Sequence, residues 1–568
     1  MKPLRNGLGL WGLILVLGLA ALFTTTGCGG FDSDEFFIED GGGGAGPAPP
    51  PPPPPPPANG RIQFDFVLAK AIPAEATQLR FTGYNATNQV KYGPETRAKA
   101  AQIILDEVPT EVTSMQIIYL NAAGDVVGAT GMAVVVEGGE TLVINDPNFN
   151  DHATYVGSAT CQQCHTTLHA DFVQTGHPFK ISKVAGGQMP TFPFSTILGG
   201  LEKIAGAVNT LGAPTSYAQV SYVIGGYGWK ARWTDLNGYI VTGTAVQYNL
   251  DDASMSGYNP TVVDKKFDCG ECHTTGWKPY DAVLNPNRQD DLPGMDGTFH
   301  ATGIQCEACH GAGGVHMYTK SRNDITRVAT PRTKAQLEAA DQAYGSPVAC
   351  SECHTRDGER NHANGYTSAA QTAGYTGTVG GRIQASGGLG QHHEQYDELL
   401  AINPDNVAGG STRSSGFQST MLVCTTCHDQ HKPTIYKPGT PGRLGGGPGV
   451  KSSNADCMVC HPNNNPANSK HPAMGHLKCI DCHMPKMVKS ATSKMSGGVA
   501  PVKVGDIKAH IFRIDLTRPD ANQFTTDGKW TYPYLTAQFA CHQCHDGYSA
   551  PGHAHDRTNQ NESTFDFH

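Results

Sequence analysis

Eight copies of the pentapeptide Cys-x-x-Cys-His constrain this chain more than any other feature. They begin at Cys161, Cys269, Cys306, Cys350, Cys424, Cys457, Cys479 and Cys541, and we number them motifs 1 to 8. This pattern is the attachment site of c-type haem. The two thiols form thioethers with the porphyrin vinyl groups, and the adjacent histidine binds the iron as its proximal ligand. Zinc knuckles would not place a histidine directly after the second cysteine in every copy. We therefore predict eight covalent c-type haems.

The cysteine count agrees with this interpretation. The chain has 17 cysteines, and every one except Cys28 belongs to a motif, so none is left for structural disulfides. The predicted attachment residues are Cys161, Cys164, Cys269, Cys272, Cys306, Cys309, Cys350, Cys353, Cys424, Cys427, Cys457, Cys460, Cys479, Cys482, Cys541 and Cys544. The predicted proximal ligands are His165, His273, His310, His354, His428, His461, His483 and His545.

Histidine is abundant enough to supply the sixth ligand on the far side of each iron. The chain has 24 histidines, so those outside the motifs outnumber the irons. The candidates for this distal position are His177, His316, His392, His393, His431, His476, His510 and His553, and His300 is a weaker one. Methionine ligation would raise a reduction potential, and it is the less favoured alternative. We expect coordination by two histidines at most of the haems.

The N-terminus predicts export. Lys2 and Arg5 precede an apolar run that ends before a small-residue segment at Cys28, which is the pattern of a signal peptide over residues 1–27. A cysteine after Gly27 fits a bacterial lipoprotein, in which Cys28 carries the lipid. Ordinary secretion and an uncleaved membrane anchor are the alternatives. Residues 28–60 form an acidic, Gly-rich linker with unbroken proline over residues 49–57, a stiff spacer of roughly 28 Å.

The rest of the chain divides by cysteine content. Residues 61–150 lack cysteine and alternate apolar and polar side chains, as in Ile62, Phe64 and Phe66. Another alternating run holds Met115, Ile117 and Tyr119. We predict a small all-β domain, an immunoglobulin-like sandwich. Residues 151–395 and 396–568 are predicted to form two tetrahaem modules.

The haem region is expected to be mostly irregular, with short helices at the motifs and the haems themselves as its core. The exception is a hairpin predicted from Tyr222 to Leu250 around the turn DLNG. Charged residues are only 16% of the chain, and the 68 glycines permit close wrapping of the backbone. The net charge of −9 argues against nucleic acid as a partner.

Several segments resemble extracellular multihaem cytochromes of metal-reducing bacteria. These are YVGSATCQQCH, TGHPFK, VIGGYGWKARW, DCGECHTTGW, GIQCEACHGAGGVH and HHEQYDEL, spread over about residues 155–400. Tetrahaem cytochromes that polymerise into filaments carry the nearest versions. The resemblance implies low-spin haems with two histidine ligands, a place at the outer membrane or cell surface, and electron transfer to metal oxides, other cytochromes or outer-membrane conduit proteins. It also raises assembly into a homopolymer, although the eight motifs, the β domain and the predicted lipid anchor depart from the filament pattern.

An enzyme is the alternative class. Octahaem hydroxylamine oxidoreductases, nitrite reductases and tetrathionate reductases also carry eight c-type haems, and they keep one iron open for substrate. All eight motifs here end in histidine, and candidate distal histidines are plentiful. The sequence therefore favours an electron-transfer protein over an enzyme.

Overall fold

The computed structural model describes residues 58–67, 71–329, 347–356, 382–400, 403–404, 424–434, 448–463, 477–495 and 502–541. The predicted signal peptide, the lipidation site Cys28 and the polyproline spacer lie outside these residues. Within the described ranges, no helix has the length and apolar character needed to cross a membrane.

The N-terminal region folds into two β-sheets around one hydrophobic core. The strands are β1 (Asn59–Asp65), β2 (Gln78–Tyr84), β3 (Val90–Ala98), β4 (Gln102–Pro109), β5 (Ser114–Leu120), β6 (Val126–Ala133) and β7 (Thr141–Asn145). One sheet has the order β4-β1-β7 and the other β3-β2-β5-β6. β1 pairs antiparallel with β4 and parallel with β7.

The alternation in the sequence explains which side chains enter this core. Ile62 and Phe64 on β1 are fully buried, and so are Ile117 and Tyr119 on β5. Because successive residues of a strand point to opposite faces, alternate side chains of β1 and β5 enter this core. The inward faces predicted from the sequence are buried, whereas the immunoglobulin-like form of the domain stays a prediction.

A larger sheet lies between motifs 1 and 2. Its strands are β8 (Ile181–Lys183), β9 (Ala205–Ala207), β10 (Tyr222–Gly225), β11 (Lys230–Trp233), β12 (Gly243–Asn249) and β13 (Met255–Tyr258). Their order is β13-β12-β11-β10-β8, and β9 pairs with β12. The prediction of a single hairpin was too simple. The tight turn lies at residues 226–229 between β10 and β11, and the DLNG turn follows β11 on the way to β12.

Short strand pairs complete the β-structure of the described residues. β14 (Thr274–Thr275) pairs with β17 (Ala301–Thr302), and β15 (Lys278–Pro279) pairs with β16 (Gly297–Thr298). A four-stranded sheet has the order β20-β19-β18-β23, from Val488–Lys489, Leu389–Gln391, Ile383–Ser386 and Trp530–Thr531. β21 (Lys494–Met495) pairs with β22 (Lys503–Val504).

The described helices are short, and most lie at the motifs, as expected. They are α1 (Ser158–Gln162), α2 (Thr166–Phe172), α3 (Gly270–His273), α4 (Cys306–His310), α5 (His316–Thr319), α6 (Cys350–Cys353), α7 (Gln395–Leu400), α8 (Cys424–Cys427), α9 (Asn454–Met458), α10 (Cys479–His483) and α11 (Ala537–Ala540). Helices of one or two turns are unstable alone, so packing and covalent attachment must hold them.

The haem region has apolar clusters of its own, which the sequence analysis did not expect. Trp233 and Val223 are fully buried in a cluster on the six-stranded sheet. Phe267 and Trp277 belong to a second cluster beside motif 2, and Leu535 belongs to a third near motif 8. Protein side chains therefore form apolar clusters in this region, and the haem core stays a prediction.

Candidate haem-binding sites

In motifs 1 to 7, which the structure describes, the motif turn brings the thiols and the histidine together. Backbone N–H groups of the motif histidines donate to the carbonyl of the first motif cysteine, at 2.9 Å for His165, His354 and His428. This closes one helical turn, and residues three or four apart on a helix share one face. Both attachment thiols and the proximal imidazole therefore point to the same side of the turn.

Hydrogen bonds fix the orientation of several motif imidazoles. The Nδ1 atoms of His310 and His483 lie 2.7 Å from the carbonyl oxygens of Thr326 and Phe512. The Nδ1 atom of His273 lies 2.9 Å from the Lys180 carbonyl. A carbonyl only accepts, so Nδ1 carries the proton and Nε2 keeps its lone pair for a metal. Histidine ligands are commonly oriented by such bonds.

Pairs of imidazoles face each other across the space that one iron requires. Two Fe–N bonds of roughly 2.0 Å, plus the distance from each nitrogen to its ring centre, separate two axial imidazole centroids by about 6.3 Å. Each observed pair joins a motif histidine to a predicted distal histidine. The centroid distances are 6.3 Å for His165 and His316, 6.0 Å for His310 and His431, and 6.1 Å for His428 and His510. The donor sets of motifs 1, 3 and 5 thus fit a haem iron.

Three imidazoles meet at motif 4. His354 lies 6.5 Å from His177 and 5.9 Å from His393, measured between ring centroids. Its Nδ1 atom lies 3.0 Å from the side-chain oxygen of Gln395. Motif 2 lies beside motif 4, because the Cys353 thiol donates to the Glu271 carbonyl of motif 2 at 3.7 Å. His177 and His393 are accordingly the two candidates for the distal positions of these adjacent sites.

Burial keeps these imidazoles neutral, as metal binding requires. Burial, together with the positive charge of Lys180, lowers the pKa of His177 to about 3. Burial also lowers the pKa of His354 and of His428 to about 4. At neutral pH each of these rings therefore offers a lone pair without first losing a proton.

Hydrogen bonds and contacts between neighbouring motif segments give an order to the sites. Ser158 Oγ lies 3.5 Å from the Cys306 thiol between motifs 1 and 3, and Val348 N–H donates to the Ala308 carbonyl at 2.7 Å between motifs 3 and 4. From motif 4, Tyr396 N–H donates to the His354 carbonyl at 2.9 Å, and Glu398 of the same helix accepts from the backbone N–H of His510, whose imidazole faces His428 of motif 5. Lys451 N–H donates to the Cys427 carbonyl at 2.8 Å between motifs 5 and 6, and Cys479 N–H donates to Asn454 Oδ1 at 2.8 Å between motifs 6 and 7. The described motifs therefore follow the order 1-3-4-5-6-7, with motif 2 beside motif 4. The contact between motifs 4 and 5 crosses the boundary between the two predicted tetrahaem modules.

The β domain contacts the site of motif 1. Helix α5 begins at His316, and Gln116 on β5 donates to the Tyr318 carbonyl of that helix at 2.7 Å. Val315, which precedes α5, is fully buried against Ile118 and Ala129 of the four-stranded sheet. The outer face of this sheet thus supports the segment that carries a predicted distal ligand.

The remaining site residues are placed less favourably or lie outside the described part. The Nε2 atom of His392 is 3.4 Å from the Lys230 ammonium, so His393 is the better placed of the two neighbours. The weaker candidate His300 stacks on Tyr155 at 4.7 Å. Cys544, His545, His476 and His553 lie outside the described residues. Sequence reasoning missed Gln395 and the cations beside motifs 2 and 4, which are described below.

Comparisons with known proteins find similarity only among solved structures. No protein-family model and no curated protein matches the chain. An outer cell wall cytochrome, OcwA, shares 16% identity over 70% of this chain and 84% of its own, with a TM-score of 0.38. An undecahaem cytochrome from the S-layer of Carboxydothermus ferrireducens shares 17% identity over 70% of this chain and 59% of its own, with a TM-score of 0.33. Both of these solved structures are of cytochromes from an outer layer of the cell. At these TM-scores the likeness carries no argument, and the assignment that follows rests on the motifs and the imidazole pairs.

Proposed function

We propose that this chain is an octahaem c-type cytochrome that transfers electrons along a series of haems with two histidine ligands each. The proposal rests on the distances of 6.0–6.3 Å between the ring centroids of three histidine pairs. These pairs are His165 and His316, His310 and His431, and His428 and His510. A c-type haem held between such a pair would supply a one-electron couple at its iron. The protein side chains would hold the iron, fix its ligands and set its potential.

The contacts between motifs support transfer within one chain. Because the two thiols of a motif would hold one haem, contacts between motifs such as that of Ser158 with Cys306 would bring neighbouring porphyrin edges close together. The order 1-3-4-5-6-7 would then form one path, and the site of motif 2 would be a branch at motif 4. Neither arrangement requires a diffusing carrier inside the protein.

The enzyme alternative needs an iron with an open position for substrate. At motifs 1, 3 and 5, both histidines of each pair would hold the iron and would leave no open position for substrate. Three imidazoles converge on motif 4, which supports closed coordination there as well. These observations favour an electron-transfer protein over a hydroxylamine, nitrite or tetrathionate enzyme.

We further propose a place at the cell surface, as an outer-membrane lipoprotein held through Cys28. The signal-like N-terminus and the polyproline spacer support export and tethering. Other cytochromes, outer-membrane conduit proteins and metal oxides are the proposed electron partners. Attachment by a lipid favours action as a single molecule over polymerisation.

Mixing experiments on fully reduced holoprotein test the function. We expect a ferric chelate, a ferric oxide suspension or an oxidised cytochrome to reoxidise all haems, and this reaction is monitored by absorbance. No substrate complex should form. Nitrite, hydroxylamine and tetrathionate should not be turned over. Rapid turnover of one of these three by the purified protein would replace the proposal with the enzyme alternative.

A further inference from the structure

The sequence WKARW forms strand β11, and it directs two cations away from the core of its sheet. Ala231 and Trp233 are fully buried within the sheet's hydrophobic cluster. Because side chains alternate along a strand, Lys230 and Arg232 share the opposite face. Polar neutral side chains would also suit this face of β11. The presence of two cations there indicates a function for positive charge.

The contacts of these cations leave their charge unneutralised. Lys230 Nζ donates to the Ser490 carbonyl at 2.6 Å. Arg232 Nε donates to the Gln247 side-chain oxygen at 3.0 Å, and its guanidinium lies 3.7 Å from the centre of the Tyr258 ring. Among the residues that the structure describes, neither side chain forms an ion pair with a carboxylate.

The nearby carboxylate is already satisfied elsewhere. Asp506 lies within electrostatic reach of Lys230, but its oxygens accept backbone N–H groups from Ser490, Ala491 and Thr492 at 2.6–3.0 Å. A carboxylate with three such bonds stabilises a turn, and it compensates Lys230 only from a distance.

Lys180 adds a third cation beside the same two haem sites. Its carbonyl accepts the Nδ1 proton of His273, the proximal histidine of motif 2. Lys230 Nζ lies 3.4 Å from Nε2 of His392, the neighbour of the candidate distal ligand His393. Arg232 lies over the ring of Tyr258, which packs with Cys269 on the apolar cluster beside motif 2. All three cationic side chains are only partly exposed. Removing unpaired charges from water is costly, so an anion is expected close by.

We propose that Lys180, Lys230 and Arg232 form a carboxylate-binding site for the propionate groups of the haems attached at motifs 2 and 4. The proposal rests on the proposed attachment of haem at these motifs. Propionates are the anions that such a haem brings with it, and the guanidinium fork of arginine suits a carboxylate. A dissolved oxyanion would have the same chemistry, and the experiment separates the two sources.

The charge of this site would set a reduction potential as well as hold the cofactor. A cation beside a propionate stabilises the reduced, ferrous iron relative to the ferric iron, which carries one more positive charge. Replacing Lys230 by methionine keeps the apolar stem and removes the charge. We expect the reduction equilibrium of one haem to fall about tenfold, which is about 59 mV for one electron.

The test uses purified holoprotein with propionate carboxyls labelled with ¹³C through the haem precursor 5-aminolevulinate. Potentiometric titration and redox-difference infrared spectra are recorded for wild type, Lys230→Met, Lys230→Arg and Lys203→Met. Lys203 is the matched control, because it is exposed and belongs to the same part of the chain. We expect Lys230→Met alone to lower one potential and to shift a labelled carboxylate band. Arg232→Gln should give the same result from the second cation if Lys230→Met assembles poorly.

Two outcomes would overturn the proposal. One is a labelled band that neither Lys230→Met nor Arg232→Gln shifts. The other is a wild-type potential that follows the concentration of added acetate or nitrate while the labelled band stays fixed, which would assign the site to a dissolved anion. The haem content of each sample, from its pyridine haemochrome spectrum, is a separate readout. Fewer than eight haems in the wild type would count against the proposed function.

Discussion

Replacing His431 by alanine should convert about one eighth of the haem iron from low spin to high spin, because one of eight irons would lose its distal ligand. The ring of His431 lies 6.0 Å from that of His310, and their planes differ by 9°. His310 itself stays anchored by the Thr326 carbonyl. The change should therefore remain confined to the iron of motif 3.

The angle between the ring planes adds a spectroscopic signature. Nearly parallel imidazoles lift the degeneracy of the iron d orbitals that interact with them, so this haem should give a rhombic low-spin signal in electron paramagnetic resonance. His431→Ala should remove about one such component and add a high-spin signal of matching intensity. Near-infrared magnetic circular dichroism should show the same loss of one bis-histidine band.

His152→Ala is the matched control for this experiment. His152 is exposed, and its Nε2 atom lies 2.9 Å from the Val126 carbonyl, so it is not available as an iron ligand. The reasoning is refuted if His431→Ala leaves all iron low-spin, or if His152→Ala produces an equal high-spin signal.

Three further substitutions test the protein scaffold. Trp233→Ala should destabilise the region of the six-stranded sheet by about 3–5 kcal/mol, seen in chemical denaturation, because it empties a fully buried position; an unchanged midpoint would contradict this packing. Gly303→Ala should reduce the yield of protein with full haem content, because φ is +69° there and a Cβ atom would lie 1.9 Å from the Pro178 carbonyl oxygen; normal yield would show that the turn can relax. Gln116→Ala should weaken the contact of the β domain with Tyr318 by about 1 kcal/mol and speed proteolysis of the connecting segment; equal cleavage rates would mean that this hydrogen bond contributes little.

The sequence predicted the residue types of the sites better than it predicted which histidines from other segments lie beside each motif. The motifs predict thiols and proximal histidines because the required spacing is local to five residues. The distal candidates come from remote segments, as His316 does beside His165, so the sequence named the candidates but not the motif histidine that each one faces. His392 and His393 show the same limit. Only the fold shows that the Nε2 atom of His392 lies beside Lys230 while His393 lies near His354.

The sheet between motifs 1 and 2 shows why part of the fold was missed. β8 and β9 have three residues each, too few for an alternating pattern to stand out. The alternation of WKARW around β11 was visible in the sequence. The proposed carboxylate-binding site becomes apparent only with Lys180, which is distant in sequence. The apolar clusters were likewise overlooked, because short strands and segments distant in sequence contribute their members.

Low-temperature electron paramagnetic resonance during a stepwise reductive titration of the purified holoprotein tests the central claim most directly. Coordination by two histidines throughout predicts that all eight haems are low-spin and that none changes its spectrum when nitrite or hydroxylamine is added. A high-spin haem in the wild-type protein that binds either molecule would contradict the claim and identify that haem as an active site.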